Sequence, residues 1–172
     1  MENAENTDQL ALRKWITAGL QIPEVKDLYG DAGYLLSNMI AKYTLAASMY
    51  RLSERAHEWF LDNKIALNGE YARSRFYGKG GPFMYEHSIP ASVIRSALLQ
   101  VEPTAQNVAE ILAKSGFVVV VLRSEDDLLR SHGLARTMPS SWNFGDDPYA
   151  RYQAAGIALS EAYLKVKGKI QR

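Results

Sequence analysis

The sequence predicts a mostly helical α+β domain, and two patterns carry that prediction. Over most of the chain, apolar residues recur at intervals of three and four, which is the spacing of amphipathic helices. Residues 117–122 instead form a continuous, largely β-branched apolar run, which is typical of a buried strand. The chain has 172 residues, 47% of them hydrophobic and 23% charged, a composition that suits one domain with its own core. We therefore interpret residues 1–172 as a single domain.

The N-terminal part, residues 1–67, is predicted to be helical. Its main element is a long amphipathic helix over residues 31–67, because the apolar positions there keep the helical spacing without a break. Those positions are Leu35, Leu36, Met39, Ile40, Tyr43, Ala46, Ala47, Tyr50, Ala56, Trp59 and Phe60.

The second part, residues 68–172, is predicted to hold a small sheet of two or three strands flanked by helices. A short strand from residue 83 leads into Glu86 and His87, and the run 117–122 supplies another strand. Thr104 and Ser124 are placed to cap the helices that follow them, and Gly133 to end the second of these. The predicted helices span residues 90–101, 104–115, 124–133 and 148–167.

Composition excludes several classes of site. A formal net charge of +1 gives no chain-wide signal for nucleic acid or membrane, so either partner must be met by a local patch. The lack of cysteine excludes disulfides, thiolate zinc sites and cysteine nucleophiles. The polar, acidic N-terminus is unlike a signal peptide, and no apolar run approaches the roughly 20 residues of a membrane span. We expect a cytoplasmic protein with no membrane partner.

One segment has the composition of a chemical site, the run GKGGPFMYEHSIPASVI over residues 78–94. A glycine-rich approach leads into an acid beside an imidazole, Glu86 and His87, and Pro90 can then begin a helix. Loops held between rigid elements are where proteins place binding and catalytic groups. We therefore take Glu86 and His87 as the centre of the candidate site.

The string YEHSIP resembles the first motif of the HNH, or His-Me finger, nucleases. In that family two strands and a helix carry a histidine general base and bind one divalent metal. The resemblance implies that His87 polarises the attacking water and that Glu86 is a metal ligand. It also implies a second ligand on the helix after the second strand, where Asp126 and Asp127 stand. Mg²⁺ or a similar hard cation suits carboxylate and water oxygens, and a near-neutral imidazole can accept a proton.

A basic stretch lies beside this motif. Tyr71, Phe76 and Tyr77 alternate with its cations, a pattern that could follow a phosphate backbone and stack bases. The alternative is a solvated loop whose aromatic rings fold inward. The predicted nucleic-acid-binding residues are Arg73, Arg75, Lys79 and Arg95.

Structural interpretations compete with the catalytic ones. His87 could be a partly buried histidine bonded to a backbone carbonyl, with Glu86 a surface acid. Asp126 and Asp127 could serve the positive end of a helix dipole in a first turn that Ser124 caps.

The functional prediction from sequence is a metal-dependent endonuclease acting on nucleic acid, with DNA favoured over RNA. The alternative is a non-enzymatic adaptor or inhibitor, which would bind a protein partner or a second copy of itself through the long helix. The side chains that would form that surface are Met39, Tyr43, Met49, Tyr50, Trp59 and Phe60.

Overall fold

Helices and short strands follow one another through the computed structural model of the protein, which describes residues 5–31, 34–77 and 80–167. The helices are α1 Thr7–Gln21, α2 Pro23–Asp31, α3 Tyr34–Leu45, α4 Glu54–Asp62, α5 Ala91–Gln100, α6 Ala105–Ser115, α7 Arg123–Ser131 and α8 Ala150–Ala154. The strands are β1 Met49–Ser53, β2 Phe83–His87, β3 Val118–Leu122 and β4 Leu159–Lys165. The predicted class, a mostly helical α+β protein, is confirmed.

The four strands form one mixed sheet in the order β2-β3-β1-β4. The central pair, β1 and β3, is parallel, while β2 and β4 pair antiparallel to their neighbours. Strand β3 is covered on both faces, since Val118 and Val120 join one buried cluster and Val119 and Val121 join another. A strand buried on both faces reads as a continuous apolar run, which is why the sequence reveals β3.

Helices cover the sheet and build a further core beside it. Helices α1, α3, α5 and α6 supply one buried cluster, around Ile16, Leu36, Ile94 and Leu112. On one face of the sheet, α4 contributes Trp59 and Phe60 to an aromatic cluster with Phe76 and Phe83. On the other face lie α7 and α8. Among the described residues, no helix is both long enough and apolar enough to cross a membrane.

The long helix predicted over residues 31–67 is wrong. Helix α3 ends at Leu45, β1 occupies the centre of the sheet, and α4 begins after Ser53, whose hydroxyl accepts a hydrogen bond from the Ala56 amide. Tyr50 and Leu52, two residues apart, are both fully buried, which is the alternation of a strand. Tyr50 also fits the helical spacing of the apolar residues before it, so the sequence does not distinguish a strand from a helix at this point.

The helix predicted over residues 148–167 is also wrong. Helix α8 ends at Ala154, and Gly156 adopts a positive φ of 72°, a conformation that favours glycine and ends the helix. The chain then forms β4, in which Ala162 and Leu164 face the aromatic cluster. The extra strands, β1 and β4, make the sheet four-stranded where two or three strands were predicted.

The predicted cap at Ser124 is wrong as well. Helix α7 begins one residue earlier, at Arg123, and Ser124 is exposed. Glu125 instead accepts hydrogen bonds from the Leu122 amide at 2.8 Å and from the Ser53 hydroxyl at 2.6 Å. The buried Glu125 carboxylate therefore joins the starts of α4 and α7. Of the adjacent acids Glu125, Asp126 and Asp127, only Asp127 is exposed.

Candidate functional site

The strand that carries Glu86 and His87 lies at the edge of the sheet. Strand β2 pairs antiparallel with β3, with Tyr85 opposite Val120 and His87 opposite Val118. The two strands predicted in this part of the chain are therefore neighbours in the sheet. Helix α7 follows β3 and packs on both strands, although α5 and α6 stand between the strands in sequence.

Arg151 of α8 is the buried centre of the site. Its side chain is 1% exposed, and its guanidinium donates to a Glu86 carboxylate oxygen at 3.0 Å and to the His87 carbonyl at 2.6 Å. It also donates to the Leu134 carbonyl at 2.9 Å. A buried cation needs such partners, because charge without them is costly in a poorly solvated interior. Arg151 thus fixes the end of β2 and holds positive charge beside His87.

The His87 imidazole is neutral over the physiological range. Burial, with a smaller contribution from the positive charge of Arg151, lowers the pKa of His87 to about 4. The ring nitrogen Nδ1 is buried and has no hydrogen-bond partner within the described part of the chain. An unprotonated imidazole with an unused nitrogen can accept or donate a hydrogen bond when a ligand arrives.

These groups line an open cavity of about 440 Å³. Among the residues that the structure describes, its charged lining consists of three arginines, Arg95, Arg136 and Arg151, against one carboxylate, Glu86. Arg95 and Arg136 make no ion pair among residues 5–31, 34–77 and 80–167. The remaining lining residues are Tyr34, Ser37, Asn38, His87, Pro90, Ala91, Ser92 and Ala135. The cavity therefore carries excess positive charge.

The first residues of α5 add to this charge. Ala91 and Ser92 line the cavity, and α5 begins at Ala91 after Pro90, which offers no side-chain cap. The first amides of a helix lack helical acceptors, and the helix dipole makes this end positive. The Ser92 hydroxyl donates to the Arg136 carbonyl at 3.1 Å, which ties the loop bearing Arg136 to the helix start. Anions bind readily at such a junction.

Glu86, His87 and Arg95, three of the residues predicted from sequence, are brought together in the cavity. Asp126 and Asp127 are not among its lining residues. Asp126 is 6% exposed and paired with Arg130 at 2.8 Å, and Asp127 is exposed on α7.

The predicted basic loop is described only in part. Arg75 lies in a single 3-10 turn, with its guanidinium 4.6 Å from the centre of the Tyr71 ring. Phe76 is buried in the core, and Tyr77 stacks on Tyr85. Lys79 and the Arg73 side chain lie outside the described part of the structure.

The described residues offer no ready-made metal site. Glu86 and Asp126 are each paired with an arginine, and within the described ranges no three His, Cys, Asp or Glu side chains group to hold an ion. A metal at Glu86 would have to replace its bond from the buried Arg151. The residues present thus do not fit the metal that the resemblance implies, and no step of the proposed reaction uses it.

Sequence reasoning did not place three members of the cavity. Arg136 and Arg151 stand in the sequence as isolated cations, and Arg151 fell within a predicted helix that has a different extent. Tyr34 begins α3, far from Glu86 in sequence, and only the fold brings the two together. The sequence signal for Arg151 is its place beside Tyr152, shortly before Gly156, which ends the helix. That signal does not indicate which groups Arg151 would bond to.

The depressed pKa of His87 predicts a pH-dependent stability. The unfolded imidazole titrates near 6.5 and the folded one near 4, so between these values the unfolded state binds more protons. Stability is complete above about pH 6.5 and falls as the pH drops towards 4. We expect the loss in the free energy of unfolding over this pH range to reach about 2 kcal/mol. This is less than the full pKa shift would give, because the ring is partly exposed.

The measurement is urea unfolding of the wild-type protein and of His87→Gln from pH 4 to pH 7.5. As the pH falls, the free energy of unfolding of the wild-type protein should decrease more than that of His87→Gln. His132→Gln, at the exposed end of α7, is the control and should leave the wild-type pH dependence unchanged. Parallel curves for His87→Gln and wild type would contradict the assignment.

Comparison of the chain with protein-family models, with curated proteins and with solved structures finds no match. The functional argument therefore rests on the geometry of the cavity.

Proposed function

We propose that the protein is an endonuclease that cleaves phosphodiester bonds of nucleic acid, with the scissile phosphate in the arginine-lined cavity. One observation carries the proposal: three arginines, the start of a helix and a neutral histidine converge on one cavity, where the described residues supply a single carboxylate. Arginine matches phosphate oxygens with paired donors, and amides at a helix start favour anions.

Arg95 and Arg136 would hold the phosphate, and the buried charge of Arg151 would help to stabilise the charge that develops on it. Arg151 is fixed by its bonds to Glu86 and to carbonyls, so it is oriented before the substrate arrives. Arg95 and Arg136 have no ion-pair partner among the described residues and are available to phosphate oxygens. Preorganised charges of this kind are the largest contributors to phosphoryl-transfer catalysis.

His87 would accept the proton of the attacking water. Its pKa of about 4 leaves the ring unprotonated but makes it a weak base in the free protein. A phosphate bound beside it brings negative charge, which opposes the effect of Arg151 and raises the imidazole pKa. Substrate binding thereby moves this base towards the pH at which it must act.

Residues outside the cavity would extend the contact along the strand. Arg75 is exposed in the basic loop that precedes β2, together with Arg73 and Lys79 in sequence. We propose that this loop binds phosphates flanking the scissile one, with DNA favoured over RNA. The predicted metal requirement, with Glu86 and Asp126 or Asp127 as ligands, stays a prediction, and comparing Mg²⁺, Mn²⁺ and a chelator tests it.

Substitution of the unpaired arginines tests phosphate binding. Hydrogen bonds to charged groups contribute about 1.5–3 kcal/mol, so Arg95→Ala and Arg136→Ala should each weaken binding of a fluorescent oligonucleotide by about tenfold or more. Titrations by fluorescence anisotropy in a chelator, which prevents metal-dependent cutting, would measure this. Arg55→Ala, an exposed arginine on α4, removes the same charge outside the cavity and should have little effect. Equal losses in all three variants would contradict a specific site.

The adaptor alternative loses its predicted surface. Tyr43, Tyr50 and Phe60 are buried, and Trp59 packs within the aromatic cluster, so these side chains belong to the core. Exposed apolar side chains that a protein partner would meet include Trp15, Ile22 and Leu28, which lie on α1, on α2 and in the turn between them.

A further inference from the structure

Tyr34, at the first turn of α3, is exposed beside the cation-lined cavity. Its side chain is 72% exposed, yet it lines the cavity together with Ser37 and Asn38. Residues three and four apart lie on one face of a helix, so these three side chains form one wall. The other face of α3 carries Leu36 and Ile40, both fully buried. The Tyr34 ring is therefore not part of the core, and its face is open to a ligand at the edge of the cavity.

We infer that Tyr34 stacks on an unpaired nucleobase of the strand whose phosphate occupies the cavity, so that the protein selects single-stranded nucleic acid. This inference rests on the proposed function, because the arginines must hold the phosphate next to that base. Every base has a π-face, and stacking on an aromatic side chain contributes about 1–3 kcal/mol per base without requiring a particular sequence.

The neighbouring groups suit the same ligand. Asn38 is exposed on the same wall, and an amide can both donate to and accept from the edge of a base. Bases inside a duplex are stacked on one another and cannot present a face to Tyr34. A single strand, a loop or a frayed end can offer both a phosphate to Arg95 and Arg136 and a free base to the ring.

The test compares three fluorescent probes at equal length: single-stranded DNA, the same strand with abasic sites, and a duplex. Binding is measured by anisotropy in a chelator, so that no result depends on cleavage. Wild-type protein should bind the single strand more tightly than the other two. Tyr34→Ala should weaken binding of the base-bearing single strand about tenfold. Its affinity for the abasic strand and the duplex should equal that of the wild-type protein, because those probes offer no free base. Tyr34→Phe and Tyr34→Trp keep an aromatic face and should retain the preference.

The outcomes separate this inference from the proposed function. If Arg95→Ala weakens binding of the abasic strand while Tyr34→Ala changes no probe, the phosphate site stands and the stacking inference is wrong. An equal loss on abasic and base-bearing strands in Tyr34→Ala would also overturn stacking. If wild-type protein binds none of the probes, both the proposed function and this inference fail.

Discussion

Replacing Arg151 by alanine is expected to lower the free energy of unfolding by about 3–5 kcal/mol. The substitution removes a donor from a Glu86 carboxylate oxygen and from the carbonyls of His87 and Leu134, although the His87 carbonyl keeps a bond from the Tyr152 hydroxyl at 3.4 Å. Removing one partner of a buried ion pair costs this much because the other charge remains poorly solvated. Urea or thermal unfolding of the two proteins at neutral pH measures the difference.

Two further variants separate the charge from the packing. Lys165→Ala breaks an ion pair with Glu70 in which both side chains are about half exposed, so its cost should be far smaller. Where Arg151→Ala fails to fold, Arg151→Met keeps most of the volume. Adding Glu86→Gln to Arg151→Met should then recover part of the lost stability, since no unpaired buried charge remains. Losses of the same size at Arg151 and Lys165 would contradict the central role given to Arg151.

The elements that sequence predicts correctly are those with one unambiguous local signal. Strand β3 was predicted from its continuous apolar run, and both of its faces are indeed buried. Helix α6 was predicted from Thr104 as its cap, and Thr104 accepts a hydrogen bond from the Asn107 amide at 3.1 Å. Each of these signals lies within a dozen residues, so it does not depend on the rest of the fold.

Strands β1 and β4 could not be predicted in the same way. Strand β1 has helical segments on either side, and its alternating residues continue the helical spacing of α3. What makes it a strand is its place between β3 and β4, which supply its hydrogen-bond partners. This tertiary pairing overrides local propensity and cannot be read from the segment itself.

The candidate site was half predicted. Glu86 and His87 are adjacent in sequence and could be recognised as a pair, and Arg95 follows within one helix. Arg136, Arg151 and Tyr34 reach the cavity from three other segments. An isolated arginine in a sequence is ordinary, so only the fold shows that these cations share one cavity.

His87→Ala is expected to reduce the rate of phosphodiester cleavage by about 10²–10⁴-fold while leaving strand binding nearly unchanged. The imidazole is assigned to proton transfer, whereas the arginines hold the phosphate. Loss of the base therefore lowers kcat and not affinity. The other two histidines, His57 and His132, lie outside the cavity lining, so His57→Ala and His132→Ala are matched controls. A similar loss of rate in either control would contradict a specific role for His87.

The most direct test of the nuclease assignment is cleavage of single-stranded and plasmid DNA by purified wild-type protein and His87→Ala in Mg²⁺, Mn²⁺ or EDTA. The account predicts cutting by the wild-type protein and a loss of at least about a hundredfold in a folded His87→Ala prepared in parallel. Comparing each metal with EDTA tests the predicted metal requirement separately. No cutting by the wild-type protein under any condition, or equal rates for the two proteins, would contradict the assignment of this cavity as a nuclease site.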